Sequence, residues 1–211
     1  MEIFNYEAKA GFGIVFPAKS FIVDDNDCKL IISPGPFDEG LISKLRGSDK
    51  QLFFVSPNNF HHLYLPYCAK NFNNARFFGG KRAAKQSSLA LEKIDTLPSS
   101  ELIQTVFIEG NHTLNETCFL IKEDKALIVT DLFFNIRQPQ NLATKFAMKL
   151  AGTHNKVGTS RLLKITIKDR ERFKNSLRKL LSLEFDTVYP NHGEKITREE
   201  FTKHLKTTFD I

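Results

Sequence analysis

Four of the six histidines in the chain follow stretches that read as β-strands. His61 and His62 come after "QLFFVS", His112 after "TVFIEG" and His192 after "DTVYP". Asp131 closes a fourth such stretch, "ALIVT". Imidazole and carboxylate are the ordinary ligands of zinc and non-haem iron. Four strands therefore end in a metal-capable side chain. In layered α/β folds, ligands gather at the carboxyl ends of strands, so these loops can converge. Each residue also has an ordinary reading. A loop histidine hydrogen-bonds at the surface, and an aspartate ending a strand forms a turn or caps a helix. The glycine after His192 serves as a turn glycine. One order of elements accounts for all of these positions together. His154 and His204 have no such placement and read as surface residues.

The elements that must position these side chains follow from periodicity. "GIVF", "SFIV" and "KLIIS" read as short strands, separated by "PAK" and the turn "DDND". "FDEGLISKLR" has helical spacing. "HHLYLPYCAKNF" reads as a helix with Pro66 early in it. "TCFLIKEDKALIVTDLFF" is a hairpin with "KEDK" at its tip. Residues 136–151 and 169–183 read as helices, and a last helix starts near Thr197. Hairpins come first and then strands alternate with helices, which is an α/β pattern with sandwich-like β elements.

Composition bounds the class. The chain has 211 residues, 41% of them hydrophobic and 26% charged, with 20 Phe and no Trp. That suits one domain, residues 1–211, with a full core. Cys28, Cys68 and Cys118 are too few and too scattered for a disulfide framework or a zinc knuckle, and read as reduced core residues. No basic segment followed by an apolar run opens the chain, and no apolar run reaches the roughly 18 residues of a membrane span. The expectation is a cytoplasmic protein with no membrane partner. The net charge of +6 concentrates in residues 70–85 and 145–182. Those tracts read as solvated faces, and nucleic acid is the alternative partner.

The strand-end motifs resemble those of the metallo-β-lactamase superfamily, over most of the chain from Phe12 to Thr208. "KLIISPGP" resembles the early strand that often ends in Asp-x-Gly. "VSPNNFHHL" lies where active members carry His-x-His-x-Asp-His. "EGNHTLNETCFLI" resembles the Gly-His-Thr segment before a hairpin, and "ALIVTDLFF" the strand ending in the metal-bridging aspartate. "DTVYPNHGE" resembles the final His-Gly loop and is the most specific piece. Together they look like a divergent branch with an Asn-x-His-His variant of the first motif. The resemblance implies an α/β fold, a metallo-β-lactamase-like four-layer αββα sandwich.

Carried over residue by residue, the resemblance places the first motif on Pro57, Asn59, His61 and His62. The later ligands fall on His112, Asp131 and His192, and the early aspartate on Ser33. Active members hold one metal with the first two histidines and the Gly-His-Thr histidine. Proline has no side-chain donor and an asparagine amide is a poor zinc ligand, so that first site is expected to be lost. His61, His62, Asp131 and His192 then supply three imidazoles and one carboxylate, a set that suits one zinc or iron ion. His112 is left to act as acid/base beside a bound water, or to support the ligands.

Three functions stay open at this point. One is a mononuclear metal-dependent hydrolase of an unidentified small-molecule or anionic substrate. Another is a catalytically inactive binding protein built on the same cleft. The last is a nucleic-acid binder using the basic tracts. "FFGGKR" lacks the spacing of a phosphate-binding Walker loop, but its glycines beside Lys81 and Arg82 suit an anionic ligand. Arg161 and Lys164 read as surface charges near a strand.

Overall fold

The computed structural model describes residues 1–137 and 141–211. The chain packs into two compact units, Met1–Tyr6 with Lys19–Glu101, and Glu7–Ala18 with Leu102–Ile211. Ten strands form two five-stranded sheets among the described residues.

The first sheet has the order β1 (Glu2–Lys9), β2 (Val15–Asp24), β3 (Cys28–Ile32), β4 (Gln51–Val55) and β5 (Arg76–Phe78). β2 and β3 are antiparallel, while β3, β4 and β5 run parallel. Parallel neighbours need crossovers. Helix α1 (Glu39–Arg46) supplies the first, and α2 (Leu65–Asn71) the second. Asp38 caps α1 by accepting the Leu41 N–H at 2.8 Å, and Pro66 sits in the first turn of α2, where its missing N–H costs nothing. Ile42, Leu45, Leu65 and Cys68 of these helices pack on Ile31 and Phe54 of the sheet. Phe54 is fully buried and its ring lies 5.0 Å from Phe72 and 5.2 Å from Phe77. Helix α3 (Lys81–Ser87) follows β5, so the paired glycines of "FFGGKR" lead into a short helix.

The second sheet has the order β10 (Ile196–Thr197), β9 (Thr187–Pro190), β8 (Ala126–Val129), β7 (Thr117–Ile121) and β6 (Ile103–Phe107). β8 and β9 are parallel. They therefore present their carboxyl ends, and so Asp131 and His192, on the same edge. Helix α6 (Arg170–Leu181) and helix α7 (Arg198–Phe209) bury Phe173, Leu177, Leu180, Phe201 and Leu205 in this unit's core. Thr197 and Glu200 start α7 with a reciprocal capping box.

Several expectations are corrected. "GIVF" and "SFIV" are one continuous strand, β2, which runs through Pro17. β5 and α3 had no clear periodic signature and went unread. Arg161 and Lys164 lie on a helix, α5 (Arg161–Thr166), whose start Ser160 caps at the Leu163 N–H. The helix expected over 136–151 starts later, as α4 (Leu142–Ala151) with Asn141 as its cap. Residues 138–140 of that expectation lie outside the described residues. His204 is partly buried, not a surface residue. Its Nε2 accepts the Thr159 N–H at 3.1 Å, and its ring meets Phe133 edge-on at 5.1 Å. A β-carbon at Gly158, where φ is +145°, would come within 2.2 Å of that ring. The three cysteines are free, with Cys68 and Cys118 buried as expected.

Two predictions follow from this packing. Phe54→Ala removes a ring held between two others, so it should cost about 3–5 kcal/mol and lower Tm by roughly 10 °C, read by thermal denaturation. Burial, and to a lesser extent Lys164, lowers the pKa of His204. The unfolded chain then binds a proton that the folded chain resists. Stability is full above the ordinary value of 6.5 and is lost as pH falls below it. An imidazolium also cannot accept the Thr159 N–H. His204→Gln keeps an acceptor without a titrating group, so its denaturation midpoint should fall less steeply below that pH.

Candidate metal centre

In the second unit the site is built on a buried carboxylate. Glu116, only 1% exposed, precedes β7. Its Oε1 accepts the Thr130 N–H at 2.8 Å, and its Oε2 accepts Asp131 N–H at 2.8 Å and Leu132 N–H at 2.9 Å. Three main-chain donors that end β8 are thereby satisfied, and the turn carrying Asp131 has one geometry. The same carboxylate lies near Cys118. Burial, aided by that charge, pushes the Cys118 thiol well up, so it stays a protonated core group.

His192 is fixed from several directions. Asn191 N–H donates to Val129 O at 2.8 Å, tying its loop to the end of β8. The Nδ1–H donates to the Pro17 carbonyl at 2.9 Å. A carbonyl only accepts, so this contact places the proton on Nδ1 and the lone pair on Nε2. The ring stacks on Phe134 at 5.6 Å and tilts against Phe16 at 5.9 Å. Nε2 then lies 3.6 Å from Asp131 Oδ1. That exceeds a hydrogen bond. Two ligands of a tetrahedral zinc ion stand about 3.4 Å apart, given metal–ligand bonds of about 2.0–2.2 Å. The pair thus fits two ligands of one ion better than it fits a mutual hydrogen bond. Gly193 is more than a turn glycine. Its φ is +102°, and a β-carbon there would come within 2.0 Å of Asn135 O. Only glycine lets the loop run against residue 135, where Asn135 N–H reaches His192 O and Glu194 N–H reaches Asn135 O.

In the first unit the loop after β4 carries His61 and His62. Ser56 Oγ donates to Asn58 O at 2.8 Å. Asn58 Oδ1 in turn accepts Phe60 N–H at 2.8 Å and His61 N–H at 3.2 Å, an Asx-type turn. His61 Nδ1 meets Ser33 Oγ at 2.6 Å. Ser33 and His61 thus pair with each other. His62 Nδ1 donates to Asn59 O at 3.1 Å. Burial lowers its pKa, the bond to Asn59 opposes this, and His61 and Arg82 add to the lowering, which favours the neutral imidazole. Pro57 and Asn59 are buried. Arg82 lies over the Phe60 ring at 5.5 Å, so one cation of "FFGGKR" is placed against this loop.

The residues expected from sequence divide as follows. Asp131 and His192 come together in the second unit. His61 and His62 are adjacent in the first, each oriented by its own partner. His112 is exposed on the loop after β6, where Asn111 anchors the chain through Leu163 O, Thr166 Oγ1 and the Leu114 N–H. Sequence reasoning missed Glu116 and the Pro17 carbonyl, and it singled out Ser33 without its contact to His61. Glu116 had one mark, an acid directly before the five apolar-facing residues of a buried strand.

No protein-family model matches the sequence, and no curated protein does. Solved structures do match in three dimensions. A metallo-β-lactamase from Pontibacter korlensis superposes with a TM-score of 0.62 at 14% identity, over 99% of this chain and 94% of that one. The DIM-1 metallo-β-lactamase, in a crystal exposed to ceftazidime, gives 0.64 at 15%, over 99% and 91%. The chain has the metallo-β-lactamase fold. TTHA1623, solved in a di-iron-bound form, also superposes, with a TM-score of 0.59 at 15% identity over 95% of this chain and 98% of that one. The expected α/β class is therefore observed. At these identities the likeness concerns the fold and not the activity.

Glu116→Gln tests the foundation of the centre. An amide offers one acceptor oxygen and turns an N–H₂ group towards backbone donors. At least one of three buried N–H groups loses its acceptor, at about 1–3 kcal/mol each. A lowered Tm and a weakened hold on any ion bound through Asp131 are expected, read by thermal melts and metal titration.

Proposed function

We propose that the protein binds one zinc or iron ion through His61, His62, Asp131 and His192 and uses it to hydrolyse an unidentified small-molecule or anionic substrate. The observation that carries this reading is the His192–Asp131 pair, with the imidazole oriented by Pro17 so that Nε2 stands 3.6 Å from the carboxylate. Within the second unit, Asp131 and His192 have the donor chemistry to hold an ion together. The remaining histidines support it. Burial favours the neutral imidazole of His62. His61 can donate Nδ1–H to the Ser33 hydroxyl and keep Nε2 for a metal. Imidazole-rich sets with one carboxylate suit zinc and iron.

When bound, such an ion supplies Lewis-acid chemistry and lowers the pKa of a water towards neutrality. The chain's own part is to orient and to move protons. Pro17 sets the tautomer of His192, Ser33 orients the ring of His61, Glu116 holds the turn of Asp131, and His112, exposed beyond β6, is the acid/base group of the reading. A second reading, an inactive binding protein on the same scaffold, is favoured by Pro57 and Asn59. They stand buried where two histidines would serve a second metal.

Metal analysis decides. Protein purified without chelator should carry up to about one equivalent of zinc or iron. His62→Ala and His192→Ala should lose it, while His112→Ala should retain it at a cost of roughly 10–100-fold in affinity at most. Melting curves check that each variant folds. A wild type that carries no ion and takes up none from added zinc would leave the inactive-scaffold reading. A series in which His112→Ala holds the least metal would move the ion to the other site.

A further inference from the structure

Helix α4 turns its large apolar side chains outward. Thr144 and Met148 face the core, with Ala143, Ala147 and Ala151 partly buried beside them. Leu142 is 83% exposed, Phe146 65% and Leu150 64%. Positions four apart lie about 40° apart around a helix of 3.6 residues per turn, so these three form one stripe. Lys145 and Lys149 are exposed alongside it. Helix α5 packs against α4 and repeats the pattern. Leu162 and Ile165 are 50% and 75% exposed, with Arg161 and Lys164 exposed next to them. The β1–β2 hairpin tip is tied to the start of α4, where Asn141 Nδ2 donates to Gly13 O at 3.0 Å and Val15 N–H donates to Thr144 Oγ1 at 2.9 Å. This brings Phe12, wholly exposed, to the same region.

The charge of this face has one sign. Between Leu132 and Lys168 the sequence contains no aspartate or glutamate, and it contains Arg137, Lys145, Lys149, Lys156, Arg161, Lys164 and Lys168. Clustered exposed apolar residues mark an interaction surface, and the charge narrows the occupant. A second copy would bring two basic faces together. Single-stranded nucleic acid would want stacking aromatics, and here most of the apolar residues are aliphatic. Leucine, isoleucine and phenylalanine interleaved with lysine is the composition of a surface that lies in a bilayer interface. The apolar side chains enter the acyl boundary, the lysine stems extend along it, and their ammonium groups meet acidic headgroups.

We infer that the face formed by α4, α5 and Phe12 binds peripherally to an anionic lipid bilayer. The protein would lie on the membrane. No helix among the described residues is long and apolar enough to cross one. The inference is independent of the metal reading, because it uses none of the same side chains.

Flotation of the full chain with vesicles tests it. Vesicles of phosphatidylcholine with about 30% phosphatidylglycerol should carry the protein at low salt, and pure phosphatidylcholine vesicles should not, because the basic face needs acidic headgroups. Raised salt should weaken the binding. L142Q/F146Q should reduce partitioning at least about ten-fold, and K145Q/K149Q roughly 25-fold. Both variants should melt like the wild type, because these side chains face solvent. Failure to float with anionic vesicles overturns the inference. So does flotation that L142Q/F146Q leaves unchanged. A solution dimer that L142Q/F146Q disperses, without vesicle binding, would assign the face to a second copy. Retention of single-stranded DNA by L142Q/F146Q but not by K145Q/K149Q, without vesicle binding, would assign it to nucleic acid.

Discussion

One buried carboxylate sets the geometry on which the candidate centre depends. A strand end leaves main-chain N–H groups that must find acceptors when buried. At the end of β8, three consecutive N–H groups, of Thr130, Asp131 and Leu132, all fall on Glu116. The charge that would be costly alone in the core is matched by donors the turn would otherwise leave unmade. Asp131 is therefore aimed by its backbone. Because β8 and β9 are parallel, the same edge receives His192, and the Asn191 bond to Val129 O fixes its height.

The two units treat their candidate ligands differently. In the second, His192 is held by a carbonyl, two aromatic rings and a glycine that nothing else could replace. In the first, the loop after β4 is shaped by side chains that bond to backbone. Asn58 makes the turn, Pro57 and Asn59 are buried, and Ser33 is the partner of His61. The loop ends in two imidazoles, His61 and His62.

What sequence could show follows from this division. Strand ends were readable because β-branched and aromatic runs stop at polar residues, and so Asp131, His192, His61 and His62 were read as following strands, which they do. The resemblance in short motifs anticipated the fold, which the superpositions bear out. The devices behind those residues were not readable. Glu116 acts across the β7–β8 hairpin, and the Pro17 carbonyl is a main-chain group 175 residues from the histidine it orients. Neither leaves a local pattern. β5 has only three residues, too short for any periodicity to register. His204 looked like a surface residue because its partner is the N–H of Thr159, 45 residues away.

The donor set also bears on what the centre would accept. Under the one-ion reading, Asp131 is the single anionic ligand and the imidazoles are neutral, His62 being kept so by burial. A divalent cation would be only half compensated by its ligands. Two cations would repel each other across a site where Ser33 and His61 stand in positions that resemble carboxylates in active members. The same replacements that argue against a second ion thus leave a net positive charge around one. An anionic ligand would supply the missing compensation. A neutral one would leave a charge imbalance in a partly desolvated site.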